Sequence, residues 1–317
     1  MDAADIERKV RSGERLTRED GIALYDCDDL AWLGGLAHQT RTRHNGDVAY
    51  FAVHRTLEVT DVAEAVERAT RWAADGVTEV RLTTGGETAR SDLARVVRTL
   101  RGALPENVAV TVSTADAGAA DDLDELVDAG LAALSAEGQD LAWDEEARVH
   151  RLAHRKGLPT ACAMRYGSTH DAAGREACVE RVLRLRELQD ETGGFHVFVP
   201  LLQDGPQGAT GAEVLKTFAV ARLLFDNVPH VAVDWALHTE QTAQLVLQHG
   251  ADEMAGRVVD DETEPEHDAD ALTRDDLLEL IRDTGFHPVQ RDTHYAALHT
   301  YEGPDPQRRE TPQPMRV

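Results

Sequence analysis

The chain has 317 residues, 42% of them hydrophobic, with 58 acidic against 33 basic residues and a net charge of -25; this is ample material for a buried core and excludes a disordered polymer. A surface so negative repels phosphate, which excludes nucleic acid and anionic membrane as partners. The acidic residues are spread along the whole chain and lysine occurs only at Lys9, Lys156 and Lys216, a halophilic signature that we read as adaptation to salt rather than to a function.

In chain order, the first 46 residues predict a helical segment, within which "LTREDGIALYD" offers Thr17 as an N-cap with Asp20 three residues on, a capping-box-like start. From residue 47 to 260 a pattern repeats. Apolar, β-rich runs at "DVAYFAV", "VTEVRLTT", "VAVTVS", "LAALS", "PTACAMRY", "GFHVFVPLL" and "HVAVDWAL" alternate with amphipathic helices over Asp61 to Asp75, Asp121 to Ala129, Asp144 to Lys156, Asp171 to Thr192, Gly211 to Asp226 and Thr239 to Gly250. Gly76, Gly130, Gly157, Gly193 and Gly250 stand where a left-handed residue would close a helix. With a further strand at "AGRVV", the pattern predicts an α/β fold, a (β/α)8 TIM-type barrel with N-terminal helices and a C-terminal helix. Residues 261–299 read as an acidic loop followed by a capped helix over "LTRDDLLELIRDTGF", packed on the barrel, and residues 300–317 as a proline-rich, disordered tail. The opening residues lack the apolar core of a signal peptide, and no apolar run approaches the about 20 residues of a membrane span. A cytoplasmic location is the expectation.

Barrel chemistry sits at the C-terminal ends of strands. There "TTGGET" supplies Gly85 and Gly86, which let backbone N–H groups approach a ligand, and Glu87, a carboxylate for an ammonium group. Its plainer alternative is a tight turn with a solvated Glu. "CAMRYGSTHD" offers Arg165, Tyr166 and His170, with a surface arginine and a core tyrosine as the alternative. "AVDWALHTE" offers Asp234 beside Trp235 and His238, with Trp235 equally suited to the core. In "HRLAH", His150 and His154 share a helix face at metal-ligand spacing, but no third ligand is evident and no metal site is expected. Cys27, Cys162 and Cys178 are too few and too scattered for a disulfide framework or a ligand cage.

Four longer stretches carry a resemblance: "RVLRLRELQDETGGFHVFVPL", "TFAVARLLFDNVPHVAVDWA", "TAQLVLQHGADEMAGRVV" and "LTRDDLLELIRDTGFHPVQRDTHYAAL". Together they resemble the radical S-adenosylmethionine enzymes of menaquinone biosynthesis, the aminofutalosine synthase-like members above all, and "DNVPH" and "PVQRDTHY" point to that branch. The resemblance implies a barrel whose 4Fe-4S cluster, held by a CxxxCxxC loop after the first strand, cleaves S-adenosylmethionine to a radical that adds to an enolpyruvyl-benzoate. In this chain "DVAYFAV" runs straight into "HRTLEVTDVAEAV". All three ligand cysteines are missing with the loop, so a 4Fe-4S cluster is not expected. The stretch from Asp116 to Glu145 is also shorter than in that family. "TTGGET" resembles the turn that grips the methionine end of the cofactor, which keeps S-adenosylmethionine open as a ligand. Three readings follow: an accessory or regulatory protein of the futalosine pathway without radical chemistry, a repurposed enzyme acting on an aromatic acid or nucleoside, or a subunit of a complex with an active radical paralogue.

Overall fold

The computed structural model describes residues 3–83, 93–114, 123–135, 141–167, 171–203, 209–259 and 271–301. Three helices open the chain, α1 (Ala3–Ser12), α2 (Arg18–Tyr25) and α3 (Leu30–Asn45). The expected capping box forms: Thr17 Oγ1 accepts from Asp20 N, and the Asp20 carboxylate accepts from Thr17 N at 2.9 Å. Asp20 is buried, and Lys9 Nζ reaches it at 2.9 Å, so one carboxylate both starts α2 and ties it to α1.

Strands and helices then alternate. They are β1 (Val48–Phe51), β2 (His54–Glu58), α4 (Val62–Ala74), β3 (Glu79–Thr83), α5 (Leu93–Ala103), β4 (Ala109–Ser113), α6 (Leu123–Asp128), β5 (Ala133–Ser135), α7 (Trp143–Arg155), β6 (Thr160–Tyr166), α8 (Ala172–Thr192), β7 (Phe195–Leu202), α9 (Gly211–Leu224), β8 (His230–Asp234), α10 (Trp235–His238), α11 (Glu240–Leu247) and β9 (Glu253–Ala255). The small ladder of β10 (Val258–Val259) and β11 (Leu272–Thr273) follows, then α12 (Arg274–Asp283), β12 (His287–Arg291) and β13 (Ala297–Thr300). The glycines expected to close helices at 76, 130, 157, 193 and 250 all have positive φ. Among the described residues no helix is long and apolar enough to cross a membrane.

The eleven-stranded sheet has the order β13-β12-β1-β9-β8-β7-β6-β5-β4-β3-β2, and every pair in it is parallel except β12 with β13. Near its two ends lie β1 and β2, yet only Ala52 and Val53 separate these strands in the chain. The lower half of this first strand meets the last barrel strand, Tyr50 N donating to Asp252 O at 2.7 Å. Its upper half meets β3, where Val53 O accepts from Thr78 N at 2.9 Å. One strand thus carries both sides of the seam, and the sheet curls into the expected α/β barrel of TIM type. Along β3, Val80 and Leu82 are buried in the hydrophobic core, while Glu79 and Arg81 alternate with them and turn to the barrel interior.

Two details of the wall differ from the sequence pattern. The eighth strand lies at Glu253–Ala255 rather than over "AGRVV", whose last two residues join the separate β10–β11 ladder. In addition, "HPVQR" enters the sheet beside β1, although its proline and polar residues do not read as a strand. It is paired on both edges, with β1 in parallel and with β13 antiparallel, and its last four residues are all buried, so it does not alternate as a half-exposed strand does.

Two fully buried arginines fasten the layers. Arg222 of α9 donates to Gly250 O at 2.8 Å, to Val228 O and Pro229 O at 3.3 Å, and to the Asp252 carboxylate. Asp252 also accepts from His230 Nδ1 at 2.6 Å and from Val231 N at 2.8 Å. Burial opposes its ionisation, but Arg222, His230 and the backbone amide outweigh that and hold the carboxyl below its usual range. Arg41 of α3 donates to Ala251 O and Gly46 O and lies over the Phe286 ring at 3.7 Å.

Removing one member of the Arg222–Asp252 pair leaves a buried charge without compensation. Arg222→Met is expected to lower unfolding stability by about 3–5 kcal/mol, read by denaturant unfolding at constant high salt. Arg222→Met with Asp252→Asn should lose clearly less than the sum of the two single variants; strict additivity would show that the pair does not act as a unit.

Candidate functional site

After β12 the chain turns under the barrel. Asp292 Oδ1 accepts from His294 N at 2.8 Å and Ala296 N at 2.9 Å, a local turn that forces Tyr295 to a φ of +61°. A tyrosine in the left-handed region is strained, and it is held there by its surroundings. Its ring stacks on His230 with centroids 3.5 Å apart and meets Tyr50 edge-on, while its hydroxyl donates to Glu253. Arg291 pairs with Glu253 and lies 3.9 Å from Glu79 Oε2. Glu79 Oε1 accepts from Arg81 Nε at 2.8 Å and from Thr111 Oγ1 at 3.2 Å. Burial disfavours the Glu79 anion, yet Arg81 and Arg291 together hold its carboxyl at about 2. The barrel floor is therefore a network of compensating buried charges.

Above this floor lies a cavity of about 110 Å³ inside the barrel. Glu79, Arg81, Glu253 and Arg291 bring charge to its lining, and Ala161, Val197, Val199 and Ala232 bring aliphatic surface. His196 lines it as well, and burial pushes that imidazole down, toward the neutral form. Charged and small aliphatic side chains thus share the lining of one cavity, the usual composition of a small-molecule site.

Of the residues expected from the sequence, Asp234 is in this site: it ends β8, lines the cavity and accepts from Ala236 N at 2.9 Å to cap α10. Arg165, near the end of β6, is exposed and lines a second cavity, between β6 and α8, rather than the barrel interior. Tyr166 is buried, its hydroxyl 2.7 Å from His238 Nε2, and burial pushes its phenol up. Tyr166 belongs to the core side of the wall, as does Trp235. Gly85, Gly86, Glu87 and His170 lie outside the described residues. Glu79, Arg81, Glu253, Arg291 and Tyr295 escaped sequence reasoning. Two charges at alternate positions of one apolar run, as in "TEVRLT", were the available signal for a polar barrel interior.

His150 and His154 converge on a hydroxyl. His150 Nδ1 is 2.9 Å and His154 Nε2 2.8 Å from Thr160 Oγ1, and His154 Nδ1 is 2.6 Å from Thr192 Oγ1. This knot joins α7, β6 and α8, and among the described residues no group of three or more His, Cys, Asp or Glu side chains is placed to hold a metal ion.

A 4Fe-4S cluster fits the cysteines poorly. Cys27 follows α2, Cys162 is buried in the middle of β6, and Cys178 sits on α8. Burial pushes both the Cys162 and Cys178 thiols up, which disfavours the thiolate that iron requires. Between β2 and α4 only Val59, Thr60 and Asp61 intervene, with Asp61 capping the helix through Ala63 N at 2.9 Å and Glu64 N at 3.0 Å. None of the three is a cysteine.

Comparison with known proteins bears on this arrangement. The family profile of the CofH/MqnC C-terminal region matches residues 199–303, which span β8, β9 and the Arg291–Tyr295 floor. Aminodeoxyfutalosine synthase of Streptomyces coelicolor is 48% identical, with 100% of each chain covered. This chain belongs to the aminodeoxyfutalosine synthase family. The family's Thermus thermophilus member is 30% identical over 94% of this chain and 96% of its own. The Streptomyces alignment occupies 393 positions against 317 residues, so about 76 of them are gaps in this chain. Two solved structures share the fold: the FeFe-hydrogenase maturase HydG of Carboxydothermus hydrogenoformans (TM-score 0.69, 13% identity, 92% of this chain and 80% of that one) and methylornithine synthase PylB (TM-score 0.64, 16% identity, 89% and 97%).

The histidine knot makes stability depend on pH. Burial, with smaller contributions from His150 and His196, lowers His154 to about 3, whereas an unfolded histidine titrates near about 6.5. The unfolded chain therefore takes up a proton first, so this stabilisation is full above about pH 6.5 and is lost as the pH falls toward 3. His154→Gln should flatten the fall in unfolding free energy between about pH 6.5 and 5 by close to one proton. An unchanged slope would show that His154 titrates normally in the folded state.

Proposed function

We propose that this member of the aminodeoxyfutalosine synthase family keeps the family's barrel as a small-molecule binding scaffold and does not assemble its own iron-sulfur cluster. Its role on this reading is accessory or regulatory to radical enzymes of the same pathway. The observation that carries the proposal is the three-residue β2–α4 junction, devoid of cysteine, beside an intact and charge-lined barrel interior. Two of the three thiols are pushed toward the protonated state, and they sit on β6 and α8 rather than at the end of the first strand. The fold is indifferent to this change, because loops at the strand ends carry chemistry while the sheet carries stability.

Anaerobic reconstitution with iron and sulfide, run beside the Streptomyces coelicolor enzyme as a positive control, tests the proposal. The expected result is no stoichiometric iron-sulfide uptake and no paramagnetic cluster signal on reduction. A reducible 4Fe-4S signal from the isolated chain that responds to S-adenosylmethionine would refute it. For the accessory role, native pull-down at working salt should recover a cluster-bearing family enzyme; recovery of the chain alone would count against that role.

A further inference from the structure

The hydrogen bonds of the knot between α7, β6 and α8 can be counted proton by proton. Thr160 Oγ1 lies between two ring nitrogens, His150 Nδ1 at 2.9 Å and His154 Nε2 at 2.8 Å, and among the described residues it has no other hydrogen-bond partner. A hydroxyl carries one proton, so it donates to one of these nitrogens and must accept from the other. Both ends of the knot are adaptable. Thr192 Oγ1 can donate to His154 Nδ1 or, with the Leu188 carbonyl 2.7 Å away as its own acceptor, accept from it. His150 Nε2 has no hydrogen-bond partner and stands 3.7 Å from Glu146 Oε1, so a proton placed on it faces a carboxylate. One added proton therefore fits, because either imidazole can become a cation while Thr160 still donates to the other. Two do not: both rings would then aim an N–H at Thr160 and leave its own proton without an acceptor.

The rings have no room to turn away from this conflict. Both meet Phe195 edge-on, with centroids at 4.8 and 5.0 Å, and a Cβ on Gly194 would stand 2.1 Å from His154 Cδ2. The surrounding charges decide where the one proton goes. Glu146 of α7, itself paired with Arg181 of α8 at 2.6 Å, draws it to His150, whereas the groups acting on His154 are His150 and His196 of β7, neither of them an anion. The Arg151–Glu191 pair also joins α7 to α8, but it is exposed and weakens with salt.

We propose that Thr160 makes the knot a one-proton latch, which stays closed when His150 alone is charged and releases the C-terminal half of α7 from the barrel wall when His154 takes a second proton. Glu146, one turn before His150, lines the cavity between β6 and α8, so acid loosens one wall of that cavity before the barrel unfolds.

Imidazole NMR, assigned with single variants, and amide hydrogen exchange of α7, both followed on the full chain at constant high salt between about pH 7 and 3, test the latch. His150 should gain its proton with α7 still protected. Protonation of His154 should then coincide with a rise in α7 opening of about tenfold per pH unit, ahead of any loss of protection in β7 and β8. His154→Gln, which can donate and accept but cannot be charged, should keep α7 protected until the whole barrel unfolds. His150→Gln should raise the proton affinity of His154 at least about tenfold. In a Thr160→Val background, which keeps the repulsion between the rings and removes the hydroxyl, that same substitution should have at least about tenfold less effect. Two charged rings with α7 still protected, opening with the first proton, acid opening unchanged in His154→Gln, or equal coupling with and without the Thr160 hydroxyl would each overturn the inference.

Discussion

A charge carried into the barrel must meet its opposite there, and the rest of this structure is arranged around that requirement. Arg222, Asp252 and His230 form one compensated group, His230 stacks on Tyr295, and Tyr295 shares Glu253 with Arg291. Glu79 and Arg81 complete the series on the other side of the seam. Because isolated buried charges cost several kcal/mol each, about as much as a domain's whole margin of stability, no member of the series can drift alone. The network therefore sets the relative positions of α9, β8, β9, β12 and β3, the elements on which the cavity floor rests.

That dependence accounts for where the resemblance to the family is strongest. "DNVPH" ends in His230 and "PVQRDTHY" carries Arg291, Asp292 and Tyr295, so both segments belong to the floor rather than to the mouth. At the mouth, by contrast, the β2–α4 connection ends in three residues and closes with an Asp61 cap that costs the fold nothing. About 76 alignment gaps coexist with 48% identity over the full chain. The eleven-stranded sheet is present despite these gaps.

Periodicity made most of the fold legible. Alternating runs gave away the staves, and polar caps marked helix starts at Thr17 and Asp61. Strand β12 stayed hidden because its five residues include a proline and a charged side chain, Arg291, that serves the floor network. The site was legible only in part. Asp234 could be found because it ends a strand, whereas Tyr166, equally near a strand end, turns away to His238. Whether such a residue faces the interior depends on parity along the strand and on how the sheet curls, and a one-residue difference reverses the answer. Glu79 and Arg81 share parity and sit in an apolar run, but a barrel interior can be apolar too, so their direction is set only once β2 and β12 close the seam.

Floor and mouth therefore answer to different constraints. Thiolate ligands on a connecting loop contribute nothing to the sheet, so a chain can lose them without losing its barrel. The residues around the cavity belong to strands, and the same contacts that could recognise a ligand also neutralise buried charge; altering one of them destabilises the protein as well as changing its binding. Selection for folding alone is therefore enough to keep a shaped, polar interior, whatever the loops at the strand ends carry.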